Sequence, residues 1–172
     1  MPPARRSRKS GIIYWLIPAQ PEKDLFRKLI RILARQFDAP VFEPHITLCM
    51  AQNRKPAILR SLKRNPLRLR ITGLDFSPKF TKTLFVRFKT GPALKQLARE
   101  LGCGPGSPRD PHLSLLYKKL RADVKKELAS TIKLPFREVI FDSIMAVRCI
   151  APTETRADVE KWRVVARKKL AR

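Results

Sequence analysis

Two short segments of this chain carry the same arrangement of reactive side chains. The chain has two histidines, His45 and His112, and each lies in the pattern Pro-His-x-Thr/Ser-Leu, with Thr47 in the first copy and Ser114 in the second. An imidazole gains or loses a proton near neutral pH, and a hydroxyl can donate a hydrogen bond to a phosphoryl oxygen. The two copies therefore predict acid–base chemistry on a phosphate ester.

A β-strand would place these side chains on a common face. Alternate residues of a strand share one face, so we expect His45 to project with Thr47 and His112 with Ser114. Two such strands facing each other across a cleft would hold a tetrahedral phosphate symmetrically. One imidazole would take a proton from water while the other protonates the leaving oxygen, and this chemistry needs no metal or other cofactor. Because the two copies use both histidines, we interpret them as a site rather than as core packing.

The elements around the two motifs are repeated as well. Gly11–Ile17 is an apolar run typical of a central strand, and Glu22–Phe37 has the three-and-four spacing of an amphipathic helix. Leu84–Phe88 and Pro92–Leu101 repeat the same order, strand then helix, before His112. The repeat predicts two lobes related by an approximate twofold axis.

Together these patterns predict an α+β fold with two lobes, each an antiparallel-rich sheet with helices packed outside, around a central cleft. We expect a flexible basic tail at residues 1–10 and a single bilobal domain at 11–172. Leu67–Thr72 and Leu84–Lys89 alternate apolar and polar residues, which indicates half-buried strands. Further strands are predicted at Val41–Met50, His112–Tyr117, Phe136–Phe141, Ile144–Ile150 and Trp162–Val165, and further helices at Pro56–Arg64 and Ala122–Ile132.

The composition limits the class of protein. The chain has 172 residues, 44% of them hydrophobic, so it has enough apolar material for a core and is not a disordered chain. No apolar run approaches the ~18 residues that span a bilayer, so we expect no membrane association. With 38 Lys and Arg against 14 Asp and Glu, the net charge is +24, which predicts an anionic partner. We expect a monomeric, cytoplasmic protein.

The cysteines point away from a disulfide scaffold. Cys49, Cys103 and Cys149 are odd in number and lack the paired spacing of a zinc site. This pattern favours a reducing compartment. Cys49 follows His45 and Thr47 in strand period and could line the cleft, but we interpret it as a buried free thiol.

The two motifs resemble the signature of the two-histidine (2H) phosphoesterase superfamily, and the closest resemblance within it is to cyclic phosphodiesterases of plants and fungi. Those enzymes act on cyclic phosphates of nucleotides and of ADP-ribose. The resemblance runs from Tyr14 to about Leu170, and it is carried by Tyr14–Pro18, Phe42–Thr47, Pro111–Tyr117 and Glu160–Val165. It implies an enzyme that opens a cyclic phosphodiester with water and leaves a phosphomonoester.

The resemblance also implies roles for individual residues. It makes His45 and His112 the acid–base pair and Thr47 and Ser114 the phosphate-binding residues. It places Tyr117 near the phosphate, although strict alternation would put this side chain on the face opposite His112 unless the strand ends or bulges there. For the base and ribose it implies Trp15 and a second stacking surface at Phe80, with Thr81 at the position where the family's aromatic aligns.

Two other functions remain open on the sequence alone. The first is an enzyme of the same superfamily that acts on 2′,3′-cyclic or 2′,5′-linked ends of longer RNA, which the high charge favours because a polyanion rewards many cations through counterion release. The second is a basic RNA-binding protein without catalytic activity. Turnover of a cyclic mononucleotide compared with an oligonucleotide carrying the same end would distinguish them.

Overall fold

The computed structural model describes residues 8–51 and 56–171. The described part contains seven strands and five α-helices. The strands are β1 (Lys9–Pro18), β2 (Ile46–Ala51), β3 (Leu67–Phe76), β4 (Leu84–Phe88), β5 (His112–Leu116), β6 (Glu138–Ala151) and β7 (Arg163–Lys169). The helices are α1 (Glu22–Phe37), α2 (Ile58–Ser61), α3 (Pro92–Glu100), α4 (Ala122–Thr131) and α5 (Arg156–Glu160).

The strands form one antiparallel sheet in the order β1-β2-β5-β4-β3-β6-β7, and β1 also pairs with β6. The predicted α+β fold is confirmed. The strands of the two lobes are joined rather than separate, because β6 is long enough to serve both. Its first residues pair with β3, and the remainder pairs with β1 and β7.

The two lobes also meet at a second junction, between β2 and β5. The register there pairs Ile46 with Leu113, and these are the residues that follow His45 and His112. On either side of this pair the order is the same, with β1 beside β2 and β4 beside β5. An approximate twofold axis therefore passes beside the Ile46–Leu113 pair.

The core lies on one face of the sheet, and the helices cover it. In α1 the residues that the three-and-four spacing selects, Phe26, Ile30 and Leu33, are buried. In α3, Leu94 and Leu97 are buried in the same way. Since the helices cover the core face, the opposite face of the sheet is left for His45 and His112.

Several boundaries differ from the sequence prediction. β1 begins at Lys9, within the residues 1–10 predicted as a tail, and Arg8 is paired with Asp158; residues 1–7 lie outside the described part. The two strands predicted at Phe136–Phe141 and Ile144–Ile150 are one continuous strand, because no residue between them breaks the extended backbone. The short helix α5 was not predicted, although Thr155 and Asp158 form a capping box at its start.

In residues 8–51 and 56–171, none of the helices has the length and apolar content needed to cross a membrane.

Candidate functional site

Four predicted side chains surround the junction between the lobes. Because β2 and β5 are antiparallel with Ile46 opposite Leu113, the same register places His45 opposite Ser114 and Thr47 opposite His112. Opposite residues of an antiparallel pair lie about 5 Å apart at Cβ. The structure thus brings the two His-x-Thr/Ser motifs together, and all four side chains line one pocket.

Each histidine is held by the backbone two residues before it. The Nδ1 atom of His45 is 2.6 Å from the carbonyl oxygen of Glu43, and Nδ1 of His112 is 2.7 Å from that of Asp110. A carbonyl oxygen only accepts, so Nδ1 carries the proton and donates it in both rings. The tautomer is therefore fixed, and Nε2 of each neutral imidazole keeps its lone pair for the pocket.

The two residues that hold the histidines are themselves clamped by cations. The carboxylate of Glu43 accepts from the Arg27 guanidinium, at 2.7 Å from Nη2 and 3.2 Å from Nε. The carboxylate of Asp110 is paired with Lys82 and lies 3.5 Å from Arg87. In each motif a side chain from another element thus fixes the residue whose backbone orients the imidazole.

Burial lowers the pKa of both histidines. Desolvation lowers the pKa of His45 from 6.5 to about 4; the hydrogen bond to the Glu43 carbonyl opposes that shift, and the nearby His112 adds to it. Desolvation also lowers the pKa of His112, which the Asp110 carbonyl and carboxylate partly offset, while Lys82 and Arg87 lower it further. In the free protein at neutral pH both imidazoles are therefore neutral.

The two hydroxyls are not equivalent, although the motifs are. Thr47 is exposed and makes no hydrogen bond within the described residues, so its hydroxyl can donate to a ligand. Ser114 is buried, and its Oγ donates to the carbonyl oxygen of Thr81 at 2.8 Å. Ser114 must turn away from this carbonyl before it can donate to a phosphate.

Tyr117 reaches the pocket because β5 ends one residue before it. Its ring stacks on Phe42, with centroids 3.8 Å apart. Burial raises the pKa of Tyr117, so its hydroxyl keeps its proton at any physiological pH. The strand end is what overrides the strict alternation that would have turned this side chain away.

The two aromatic residues that the resemblance assigned to the base are placed differently from each other. Trp15 lines the pocket, but its ring stacks on His45 with centroids 3.8 Å apart, and the residue is only 4% exposed. Its clearest role in the structure is to support the imidazole. Phe80 is not among the pocket residues; it packs near Tyr117 at 5.9 Å, and the next residue, Thr81, lines the pocket instead.

The pocket has a volume of about 280 Å³. Its wall includes five residues that sequence reasoning did not assign to the site: Ile13, Thr81, Ala151, Thr153 and Trp162. Ile13 could have been found, because it shares the face of Trp15 on β1. Ala151 and Thr153 carry no local signal for a site, whereas Trp162 lies in Glu160–Val165, one of the segments on which the family resemblance rests.

The cysteine prediction was wrong. Cys49 and Cys103 form a disulfide, with their Cα atoms 5.6 Å apart, and Cys149 is free and buried. The register of β2 shifts so that Trp15 faces Thr47 while Tyr14 faces Cys49. This bulge turns Cys49 from the cleft face to the core face. The spacing of the cysteines along the chain indicates neither the disulfide nor the bulge.

No three His, Cys, Asp or Glu side chains gather into a possible metal site within the residues that the structure describes.

Comparisons with known proteins find similar sequences. The family described as "Cyclic phosphodiesterase-like protein" matches residues 10–66. The cyclic phosphodiesterase of Arabidopsis thaliana is 26% identical over 175 residues, which cover 92% of this chain and 94% of the plant protein.

Two solved structures share the fold. E. coli LigT complexed with 3′-AMP has a TM-score of 0.57 at 13% identity, and the match covers 95% of this chain and 99% of LigT. TT0787 of Thermus thermophilus has a TM-score of 0.55 at 16% identity, and the match covers 93% of this chain and 97% of TT0787. Both matches extend over both lobes of the fold.

Proposed function

We propose that the chain is a phosphodiesterase of the two-histidine (2H) phosphoesterase superfamily and that it hydrolyses a cyclic phosphate by acid–base catalysis between His45 and His112. One observation carries the proposal. Each imidazole donates through Nδ1 to a backbone carbonyl, which leaves two Nε2 atoms for a single pocket at the junction of the lobes.

The proposed reaction uses the two histidines on opposite sides of the phosphorus. Nε2 of His45 takes a proton from water as the water oxygen bonds to phosphorus, and the bond from phosphorus to one ester oxygen breaks. Nε2 of His112, protonated, gives its proton to that oxygen, so the products are a phosphomonoester and a hydroxyl. The attacking and leaving oxygens lie roughly in line, which suits donors from two facing lobes.

Binding of the substrate prepares the acid. Both imidazoles have lowered pKa values in the free protein, and an anionic phosphate beside an imidazole favours its charged form. His112 is the easier of the two to protonate, because it is less deeply buried than His45. Thr47, and Ser114 once it turns, would donate to the phosphoryl oxygens.

The pocket, with a volume of about 280 Å³, has room for about one nucleotide unit at the reacting end of the substrate. A 2′,3′-cyclic nucleotide or the cyclic phosphate of ADP-ribose fits this volume at its reacting end. E. coli LigT is complexed with 3′-AMP in a solved structure, which supports a nucleotide ligand for a pocket on this fold. With Phe80 outside the pocket, the base would lie against Ile13 and Trp162.

A turnover screen tests the proposal. We expect the protein to convert 2′,3′-cyclic nucleotides or ADP-ribose cyclic phosphate to phosphomonoesters, with the same rate in the presence of EDTA. The products are resolved by chromatography and ³¹P NMR. Absence of turnover on every cyclic phosphate, or activity lost in EDTA and restored by a divalent cation, would contradict the proposed mechanism.

The pKa shifts predict an acidic pH optimum for kcat/KM. Below about pH 4 both histidines are protonated and no base remains; above the lowered pKa of His112 both are neutral and no acid remains. The profile should therefore be bell-shaped with its maximum between about 4 and 6.5. The profile of kcat should lie at higher pH, since bound phosphate raises both values. A maximum of kcat/KM above pH 7.5 would refute this assignment.

A further inference from the structure

The pocket does not account for the charge of this protein. A substrate of one nucleotide needs a few cations, whereas the chain has a net charge of +24. The question is therefore whether some of the excess is arranged around the pocket or only spread over the surface.

One group of cations is continuous with the catalytic histidine. On β4 the side chain of Arg87 lies directly across from His112. Lys89 is two residues further along the same face, and its backbone N–H donates to the carbonyl oxygen of Arg70 on the next strand. Arg68 lies two residues before Arg70 on the same face of β3, while Leu67 and Leu69 point into the core from the opposite face. We call Arg68, Arg70, Arg87 and Lys89 the basic face of the second lobe.

The basic face is only partly neutralised. Arg87 is paired with Asp75 at 2.8 Å and lies 3.5 Å from Asp110, and Arg68 is paired with Glu138 at 3.3 Å. Arg70 and Lys89 are exposed and make no ion pair within the described residues. Glu138 lies across from Arg70 on β6, but its carboxylate is paired with Arg68. On its other side Arg70 is a neighbour of Lys89, and like charges on adjacent strands repel. A bound anion between them would relieve that repulsion.

The position of the basic face limits what the anion can be. From β5 to β3 is two strand spacings, so Arg70 lies roughly 12 Å from His112 along the sheet. That is beyond a ligand confined to the 280 Å³ pocket but within reach of the next few phosphates of a chain. A 2′,3′-cyclic phosphate requires a ribose 2′-hydroxyl, so a polymer that ends in one is RNA.

We propose that the basic face binds the backbone phosphates of a single-stranded RNA whose cyclic phosphate end occupies the pocket. The proposal rests on the proposed function for the identity of the reacting end. It identifies the longer substrate class for this site and the residues that select it. Contacts to phosphates without contacts to base edges would make the preference depend on length and not on sequence.

The test compares two doubly substituted proteins of equal charge. In the first, Arg70→Ser and Lys89→Ser remove the two unpaired cations of the basic face. In the control, Lys28→Ser and Arg31→Ser remove two exposed cations from the outer side of α1, in a depression that lacks both histidines. Turnover is measured on a 2′,3′-cyclic mononucleotide and on a six-nucleotide RNA with the same end, each over a range of salt concentrations.

We expect the first variant to lose roughly 10-fold in kcat/KM on the RNA at low salt, and the slope of log kcat/KM against log salt to become shallower by about 1.4. Both variants should keep wild-type turnover of the mononucleotide, and the control should keep that of the RNA. Equal losses in the two variants, or wild-type RNA turnover in the first, would overturn the proposal while leaving the proposed function intact.

A direct binding measurement distinguishes the proposed function from the proposed binding of RNA by the basic face. Fluorescence anisotropy with a 3′-phosphate hexanucleotide, which cannot react, should show tighter binding by the wild type than by the first variant and no difference for the control. If the wild type turned over no cyclic phosphate, the proposed function would fail, and the anisotropy result would still decide whether the basic face binds RNA. Equal binding by all three proteins would refute the proposal that the basic face binds RNA.

Discussion

Replacing either histidine with asparagine is expected to lower kcat for cyclic phosphate hydrolysis by about 10²–10⁴-fold. The asparagine amide can still donate to the carbonyl of Glu43 or Asp110 in place of Nδ1. It has no atom at the position of Nε2, so the proton transfer is lost while the local hydrogen bond is kept. Steady-state kinetics of His45→Asn and His112→Asn measure the loss.

The double variant provides an internal control. If the two histidines act on one transition state, losing both should cost little more than losing one. His45 also stacks on Trp15, so the free energy of unfolding of each variant is measured by urea titration to separate catalysis from stability. Wild-type kcat in either folded single variant would refute the proposed mechanism.

The second large effect is expected on stability. Replacing Cys49 and Cys103 with serine should lower the free energy of unfolding by ~4 kcal/mol, because the disulfide closes a loop with a sequence separation of 54 residues and restricts the unfolded chain. Urea titration of the wild type and the double variant, each with and without dithiothreitol, measures the difference.

Reduction provides the matched comparison for this experiment. Dithiothreitol should bring the wild type to the stability of the double variant and leave the variant unchanged. Cys149→Ala should remain sensitive to the reductant, since Cys149 is outside the disulfide. A wild type whose midpoint does not respond to reductant would contradict the disulfide. Catalysis should survive in the folded double variant, because Cys49 faces the core and not the pocket.

Periodicity was sufficient to predict an element wherever one side of that element faces the core and the other side faces water. The spacing of Phe26, Ile30 and Leu33 predicted α1, and the alternation of Leu67 and Leu69 with arginines predicted β3, because each pattern records which side of the element meets water. The predicted face of a side chain was wrong where a local irregularity in a strand interrupts the alternation of its faces. The bulge in β2 turned Cys49 to the core, and an end of strand let Tyr117 reach the pocket.

Contacts between residues that lie far apart in the chain could not be predicted from the sequence. Cys49 and Cys103 looked like unpaired thiols because spacing along the chain does not report distance in space. Ala151, Thr153 and Trp162 were missed at the pocket for the same reason, and Phe80 was assigned to it although its neighbour Thr81 occupies the wall. Ala151 reaches the pocket because β6 returns to pair with β1, and Thr153 and Trp162 follow β6 in the chain.

The chemistry proposed for this protein follows from its sequence, because the kinds of residue in two Pro-His-x-Thr/Ser-Leu segments set which protons could move and which oxygens could be held. The tertiary structure alone decided that the two segments line one pocket. That outcome depends on the register in which Ile46 faces Leu113, a contact between residues far apart in the chain whose alignment is set by packing of both lobes. A shift of that register by one residue would turn one histidine to the opposite face of the sheet.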